Sequence, residues 1–369
     1  MAIRPFQSLY VHVPFCHGKC GYCDFYSLGQ FTDDEVNAYL LRLAEEFAEM
    51  AEFCTPLRSV FIGGGTPSAL SPAQLERLLK LIRIHFPLEE NCEWTMECNP
   101  ESMDATKASL AISMGVNRIS IGIQSFGSTI RATLMRRGSL DNLPALIEKM
   151  RRAGLKNLNM DLIYAIPGET CEDWLEDMRI AASLAPEHIS AYSLILVNNT
   201  PLGKLFHESV DDAVFLKFWK STRKTLPLYG FSQYEISNFC KKGRECRHNL
   251  DVWHGGTYLG CGPAAVSFNG EDRPANPPSL KKWLEHAEQE HDRLGERERA
   301  AEILAFGMRT VKGWNLQEFQ KLTGFTPQEL RSKALDRLQA LNLLSINDQR
   351  IRPTAKGLLF NNDILEQLI

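Results

Sequence analysis

The chain lacks any long apolar run. No segment of its 369 residues approaches the ~18 apolar residues that a membrane-spanning helix needs. We also expect no export signal, because the first residues lead straight into a strand-like run. We therefore expect a cytoplasmic protein without an integral membrane segment.

An excess of charge of either sign is also missing. Lysine and arginine total 41 and aspartate and glutamate total 45, which leaves a net charge of −4. This balance gives no electrostatic reason to expect a polyanionic partner. We therefore predict that nucleic acid is not among the partners.

The standard phosphate-binding loops are absent, since neither GxxxxGK[ST] nor GxGxxG occurs. The glycine-rich stretch at 63–65 must have another purpose. It could simply form a strand-to-helix turn that needs a positive φ. Alternatively, its missing side chains let the backbone approach a ligand closely.

Cysteine is plentiful by comparison. Ten cysteines occur, but a chain of this size without an export signal does not need disulfides, so we expect reduced thiols. Cys16, Cys20 and Cys23 are clustered in sequence. Six of the other seven are dispersed and are predicted to be small buried apolar side chains: Cys54, Cys92, Cys98, Cys171, Cys240 and Cys261.

The clustered trio is predicted to lie in a loop, because Pro14, Gly18 and Gly21 all disfavour a helix there. A loop of this kind can wrap around an iron–sulfur cluster. Three thiolates on a four-iron cluster leave one iron without a protein ligand, and an open position is what a metal site keeps for a substrate or cofactor. The sequence therefore predicts a [4Fe-4S] cluster bound by the trio.

The competing interpretation is a zinc site in which His12 or His17 completes the trio. Zinc ribbons normally show two CxxC-like pairs far apart in the chain, and this chain has one compact trio instead. The spacing favours the cluster, and His17 is then expected on the loop surface.

Strand-like and helical patterns alternate through the first 230 residues, which predicts βαβ units and a parallel sheet. Because six repeats are two short of a full (β/α)8 barrel, we predict an open (β/α)6 partial barrel, with a doubly wound sheet as the alternative. We expect residues 1–230 to form this barrel, 231–296 to be an irregular segment and linker along its open side, and 297–369 to be a small, mainly helical domain. The six strand-like runs are 9–13, 59–62, 93–97, 118–123, 157–163 and 188–196.

Polar residues cluster where these strands end, and in either architecture the chemistry is expected at that edge. Glu97, Gln124 and Asp161 lie in or just after separate strands, and Arg136 lies just beyond. Such residues are most often surface groups or helix caps. Their convergence instead predicts a site for a polar cofactor, since carboxylates suit ribose hydroxyls and a cation.

His248 stands beside aromatic residues in the irregular segment. A lone histidine is usually structural or exposed to solvent. In this setting it could also serve as an axial ligand to heme iron.

Together these motifs resemble the radical S-adenosylmethionine superfamily, and within it the coproporphyrinogen dehydrogenase-like branch. The resemblance rests on the run 10–15, on CxxxCxxC and on the glycine motif. It implies that S-adenosylmethionine chelates the open iron through its amino and carboxylate groups. The implied cofactor-site residues are Tyr10 and Tyr22 near the cluster, Gly64, Gly65 and Thr66 at the methionine part, and Glu97, Gln124, Arg136 and Asp161 further along the site.

Two features favour the heme chaperones of this branch, the HemW type, over its dehydrogenases. The dehydrogenases resemble CxxxCxxCxC, and this chain has Phe25 in place of the last cysteine. They also carry a long N-terminal arm, whereas 15 residues precede Cys16. The HNxxYW motif associated with heme in these chaperones begins at His248, but Val252 replaces its tyrosine.

The resemblance therefore implies a heme chaperone that binds a [4Fe-4S] cluster, S-adenosylmethionine and heme, with His248 as heme ligand. Its partners would be heme, heme-accepting apoproteins and, if the cluster is reduced, an electron donor protein. We expect no coproporphyrinogen dehydrogenase activity. The alternative is an oxygen-independent coproporphyrinogen III dehydrogenase, which is a radical enzyme.

Overall fold

The structure, a computed structural model, describes residues 4–206 and 210–369. Six strands alternate with helices through the first part of the chain. The strands are β1 (Phe6–Val13), β2 (Cys54–Gly64), β3 (Leu88–Cys98), β4 (Arg118–Gln124), β5 (Leu158–Tyr164) and β6 (His188–Ser193). The helices are α1 (Asp33–Met50), α2 (Pro72–His85), α3 (Ala105–Ser113), α4 (Ser128–Thr133), α5 (Leu143–Arg152), α6 (Cys171–Ser183), α7 (Pro201–Leu205) and α8 (Asp212–Thr225).

The strands β1 to β6 lie side by side in chain order, and every neighbouring pair is parallel. This confirms the predicted α/β fold with a parallel sheet. Strand β6 ends at Ser193, so the predicted extension to residue 196 is wrong. In the described residues the sheet is an open series of nine strands.

The three further strands come from the segment predicted to be irregular. They are β7 (Ser232–Gln233), β8 (Asn238–Cys240) and β9 (Tyr258–Cys261). Strand β8 pairs antiparallel with β6, and β9 pairs parallel with β1, so the segment extends both edges of the sheet. Strands of two to four residues are too short to show a periodicity in sequence, which is why the prediction missed them.

The first two long helices begin where capping motifs place them. Thr32 and Glu35 form a reciprocal capping box at α1, and Ser71 and Gln74 form another at α2. Each box satisfies two backbone N–H groups that a helix start leaves without partners, and losing such a cap typically costs about 1 kcal/mol. The capping signals therefore locate both helix starts correctly.

The two faces of the sheet differ in polarity, and this positions the site. On β1, Leu9, Val11 and Val13 are fully buried in the core under the helices. Because side chains alternate along a strand, Ser8 and the other intervening residues of β1 face the opposite side. There the Ser59 hydroxyl donates to the Ser8 hydroxyl at 2.9 Å. This face of the sheet therefore carries polar groups where the opposite face is apolar.

The remaining elements follow β8 and β9. A second hydrophobic core, separate from the one under the sheet, is built from residues 268–368. The domain boundary near residue 297 stays a prediction. The further helices are α9 (Arg247–Trp253), α10 (Leu280–Leu284), α11 (Glu296–Gly307), α12 (Leu316–Thr323), α13 (Pro327–Ala340), α14 (Ala355–Leu359) and α15 (Asn361–Leu368). The further strands are β10 (Asp272–Ala275), β11 (Glu290–Arg293), β12 (Trp314–Asn315), β13 (Leu344–Ile346) and β14 (Arg350–Pro353). Within the described ranges, no helix has both the length and the apolar character to cross a membrane.

Candidate functional site

A cleft of about 430 Å³ opens at the carboxyl ends of the parallel strands. Its walls come from the loop after β1, the glycine motif after β2, and the ends of β3 to β6. All the predicted site residues line it except Tyr10 and His248. Those that line it are Cys16, Cys20, Tyr22, Cys23, Gly64, Gly65, Thr66, Glu97, Gln124, Arg136 and Asp161.

The cysteine trio lies in a non-helical loop, as predicted, and all ten cysteines are free thiols. Backbone hydrogen bonds fix this loop against its surroundings. The Cys16 N–H donates to the Leu28 carbonyl at 2.9 Å, and the Gly21 N–H donates to the Leu134 carbonyl at 3.0 Å. Burial raises the pKa of the Cys16 thiol, so metal binding there must displace a proton.

Two polar side chains contact the cysteine sulfurs. The Thr66 hydroxyl lies 3.3 Å from the Cys16 Sγ, and the Arg136 guanidinium donates to the Cys20 Sγ at 3.3 Å. Arg136 is only 9% exposed although it is charged. A positively charged donor therefore lies directly against one of the predicted metal ligands.

The glycine motif has no room for side chains. A Cβ on Gly63 would lie 2.6 Å from a Glu97 carboxylate oxygen, and one on Gly65 would lie 2.7 Å from the Val13 carbonyl oxygen. Gly64 has a φ of 99°, which disfavours any L side chain. The glycines therefore let β2 approach both the acidic end of β3 and the cysteine loop.

Two carboxyl groups face the cleft from adjacent regions of the sheet. Ser120 donates to one Asp161 oxygen at 2.7 Å, and Asn159 donates to the other at 2.8 Å. The Gly64 N–H donates to Glu97 at 3.3 Å. Burial, reinforced by the negative charge of Asp161, raises the pKa of Glu97 to about 8. This end of the cleft therefore suits a positively charged ligand.

Tyr10 is not among the residues that line the cleft. Its hydroxyl is 3.1 Å from His12 Nδ1, and His12 Nε2 is 2.8 Å from the Tyr26 carbonyl oxygen. Burial, reinforced by Glu97, raises the pKa of the Tyr10 phenol. Both ring nitrogens of His12 are therefore already occupied by hydrogen bonds.

The zinc alternative finds no support in this geometry. His17, the other candidate ligand, is exposed and packs against Phe31 with ring centroids 5.5 Å apart. In the parts of the chain that the structure describes, no three histidine, cysteine or acidic side chains converge closely enough for a single metal ion. The trio instead lines a broader space.

His248 lies away from the cleft, on α9. It is 6% exposed, its Nδ1 is 2.9 Å from the Ser59 hydroxyl, and its backbone N–H donates to Glu93 at 3.1 Å. Its ring packs against Phe61 with centroids 5.2 Å apart. Burial, together with the charge of Arg118, lowers the pKa of His248 to about 4, so the imidazole is neutral.

Sequence reasoning missed one residue at the centre of the site. Asn99 follows Glu97 by two positions at the end of β3 and contacts both Thr66 and Arg136. The signal in the sequence was its position. Asn99 lies just beyond the end of a strand, two residues after Glu97, so the alternation of side chains along a strand places both on the same face. The amide was overlooked because Asn-Pro is also an ordinary turn signal.

The comparisons with known proteins agree with this geometry. Residues 10–181 match the Radical SAM superfamily, and residues 294–360 match the HemN C-terminal domain. The heme chaperone HemW of Haemophilus influenzae is 33% identical over 98% of this chain and 97% of its own length. The chain belongs to the HemW family of the radical SAM superfamily.

Other members of the HemW family match this chain with similar sequence identity. The heme chaperone HemW of Lactococcus lactis is 32% identical over 98% of this chain and 97% of its own length. That of Mycobacterium tuberculosis is 36% identical over 73% of this chain and 71% of its own. Among solved structures, coproporphyrinogen III oxidase (HemN) from Escherichia coli, a radical SAM enzyme, superposes with a TM-score of 0.88 at 22% identity. The match covers 100% of this chain and 91% of that one, and it establishes the shared fold.

Proposed function

We propose that this protein is a heme-trafficking protein of the cytoplasm that binds a [4Fe-4S] cluster, S-adenosylmethionine and heme and transfers heme to acceptor proteins. The observation that carries the proposal is the family membership along nearly the whole chain. Phe25 supports the chaperone over the dehydrogenase. It lies at the cleft and is 68% exposed, at the position where the dehydrogenase pattern has another cysteine.

The residues of the cleft fit the cluster. Cys16, Cys20 and Cys23 would hold three irons through free thiols that line one space. When bound, the cluster supplies an open iron position and a one-electron couple. Gly65 lets the glycine motif pack directly against the backbone that leads into this loop.

S-adenosylmethionine fits the rest of the cleft by charge. The ligand carries a sulfonium and an amino group, and Glu97 and Asp161 offer carboxyl groups on the same side of the cleft. Gln124 and Tyr22 line the same space and supply an amide and a phenol as polar contacts. These contacts bind and orient the cofactor and exclude water from it.

Heme is proposed to use His248 as an iron ligand. The neutral imidazole suits iron, but its Nδ1 is hydrogen-bonded and the ring is buried in the structure described here. Because the Ser59 hydroxyl donates to Ser8, His248 Nδ1 donates to Ser59, which leaves the Nε2 lone pair for iron. Heme would still need the buried ring to become accessible. An electron donor protein would be a further partner if function requires reduction of the cluster.

Heme titration of the anaerobically reconstituted full-length protein tests the proposal. We expect a Soret shift that saturates in the wild type and is lost in His248→Ala. His188→Ala is the matched control, because His188 is also buried and its Nδ1 is also hydrogen-bonded to a side chain of the sheet, but it lies outside the HN motif. This control should keep the Soret shift.

Two results would contradict the proposal. One is that both histidine variants lose heme binding, or that both keep it. The other is turnover of coproporphyrinogen III with release of 5′-deoxyadenosine, which would establish the radical enzyme instead. Cluster content is checked separately, and we expect about four irons and four sulfides per chain with near-complete loss in Cys20→Ala.

A further inference from the structure

We propose that Asn99 is a positioning residue that holds two hydrogen-bond donors against the cysteine sulfurs and thereby raises the reduction potential of the cluster. The inference rests on the proposed function in one respect, namely that the trio binds an iron–sulfur cluster. It is independent of heme and of S-adenosylmethionine cleavage.

The side chains form an unbroken series of contacts from one cysteine to another. Asn99 Nδ2 donates to Thr66 Oγ1 at 3.0 Å, and Thr66 Oγ1 lies 3.3 Å from Cys16 Sγ. On the other side, Arg136 Nη2 donates to Asn99 Oδ1 at 2.7 Å, and Arg136 Nη1 donates to Cys20 Sγ at 3.3 Å. One amide therefore links the donors of two cluster ligands.

The direction of each hydrogen bond follows from the available protons. Thr66 Oγ1 accepts a proton from the Asn99 amide, so its own O–H is free to point at Cys16. A metal-bound cysteine is a thiolate and can only accept. Thr66 must therefore be the donor once the cluster is bound, and Asn99 orients it.

The Arg136 side chain is also held in place by hydrogen bonds. Besides Asn99, its Nη2 donates to the Gly122 carbonyl oxygen at 2.5 Å. The nearest carboxylate, on Glu101, is 3.8 Å from Nε, which is too far for a hydrogen bond. Because a guanidinium does not deprotonate in proteins, this end of the cysteine loop keeps a positive charge at all working pH values.

Hydrogen bonds to sulfur and nearby charge are among the factors that set iron–sulfur potentials. Reduction adds a negative charge to the cluster, and N–H and O–H donors stabilise the more anionic state. Two fixed donors on two of three ligands should therefore make the cluster easier to reduce. Removing Asn99 frees the Thr66 hydroxyl to rotate away and leaves Arg136 Nη2 with the Gly122 carbonyl as its remaining partner.

A redox titration of the reconstituted full-length protein tests this inference. Midpoint potentials are measured anaerobically with dithionite, followed by visible absorption and electron paramagnetic resonance, and normalised to iron and sulfide content. We expect Asn99→Leu and Thr66→Val to shift the midpoint to more negative values. Thr66→Ser keeps the hydroxyl and should restore the wild-type midpoint.

Asn117→Leu is the matched control for a merely structural loss. Asn117 also bridges two backbone groups of the same sheet, at Trp94 and Cys92, but far from the cysteine loop. Wild-type midpoints in both test variants, or an equal shift in the control, would overturn the inference. If Asn99→Leu does not retain a cluster, the smaller substitution Asn99→Ala takes its place, and the Thr66→Val and Thr66→Ser pair checks the Thr66 donor separately. Failure of the wild type to assemble any cluster would instead overturn the proposed function.

Discussion

At the scale of the residue, Glu97 shows how burial prepares a group for a ligand. It shares the cleft with Asp161, and burial raises its pKa from 4.5 to about 8. Without a ligand, the carboxyl is therefore protonated at neutral pH. A cationic ligand would reverse this balance by favouring the ionised form.

The affinity for S-adenosylmethionine should therefore depend on pH through Glu97. Below about pH 8 the carboxyl must lose its proton when the cation binds, so the affinity should rise from pH 6.5 to pH 8. Calorimetry in buffers of different ionisation enthalpy should detect proton release. In Glu97→Gln, binding should be weaker and this proton release absent. Equal proton release in the two proteins would contradict the assignment.

The stability of the ligand-free protein should also depend on pH through Glu97, but here a higher pH is unfavourable. A carboxyl whose folded pKa exceeds its unfolded value opposes folding increasingly as pH rises from about 4.5 to 8. Glu97→Gln should therefore stabilise the fold, and the gain should grow by about 2–3 kcal/mol between pH 6 and pH 8, since each pH unit in this range is worth roughly 1.4 kcal/mol. Urea unfolding at the two pH values measures this gain. A gain independent of pH would show that Glu97 ionises freely in the fold.

At the scale of the element, the glycine motif determines how closely β2 and the cysteine loop can approach. A Cβ on Gly65 would lie 2.7 Å from the Val13 carbonyl oxygen and 2.9 Å from the Phe15 amide nitrogen, and both are backbone atoms. Backbone cannot give way as a flexible side chain can. The tight approach is therefore a requirement of the fold at this edge.

Gly65→Ala should consequently destabilise the protein by about 1–3 kcal/mol, the usual range for overpacking, and reduce cluster retention. The control is Gly127→Ala, because a Cβ there meets only ordinary contacts of 3.5 Å or more and the backbone φ is −69°. Thermal unfolding and iron content measure both effects. Similar behaviour of the two variants would show that the close approach is not required.

At the scale of the whole molecule, residues 231–296 complete the sheet. They pair β9 with β1, whose carboxyl end leads into the cysteine loop, and they pair β8 with β6 at the other side. The buried Glu46 carboxylate also accepts hydrogen bonds from the Gly262 N–H at 2.8 Å and from Asn276 at 2.7 Å. The segment is therefore bonded to the barrel by its backbone and by a buried side chain.

A chain ending at residue 230 should not form a stable monomer. Its β1 and β6 would become open edges, and an unpaired edge strand invites association with other chains. Size-exclusion chromatography and limited proteolysis should show aggregation and rapid cleavage compared with the full chain. A monomeric, protease-resistant fragment would show that the barrel is complete without the segment.

Much of this architecture was predictable from local sequence. The capping residues Thr32 and Ser71 located two helix starts, and the six strand-like runs gave the parallel sheet in the right order. These signals are local, so they can be read without knowing the fold. The short strands β7 to β9 could not be predicted, since they exist only through pairing with distant edges.

The sequence by itself determined the cysteine trio, the glycine motif and the polar strand ends, because spacing and residue type are sufficient to state them. Only the tertiary structure decided their partners. It placed Asn99 between Thr66 and Arg136, and it buried His248 against Ser59. It also gave both ring nitrogens of His12 a hydrogen-bond partner. The physical reason is that these contacts join residues far apart in the chain, and their geometry is fixed only when the strands pack side by side.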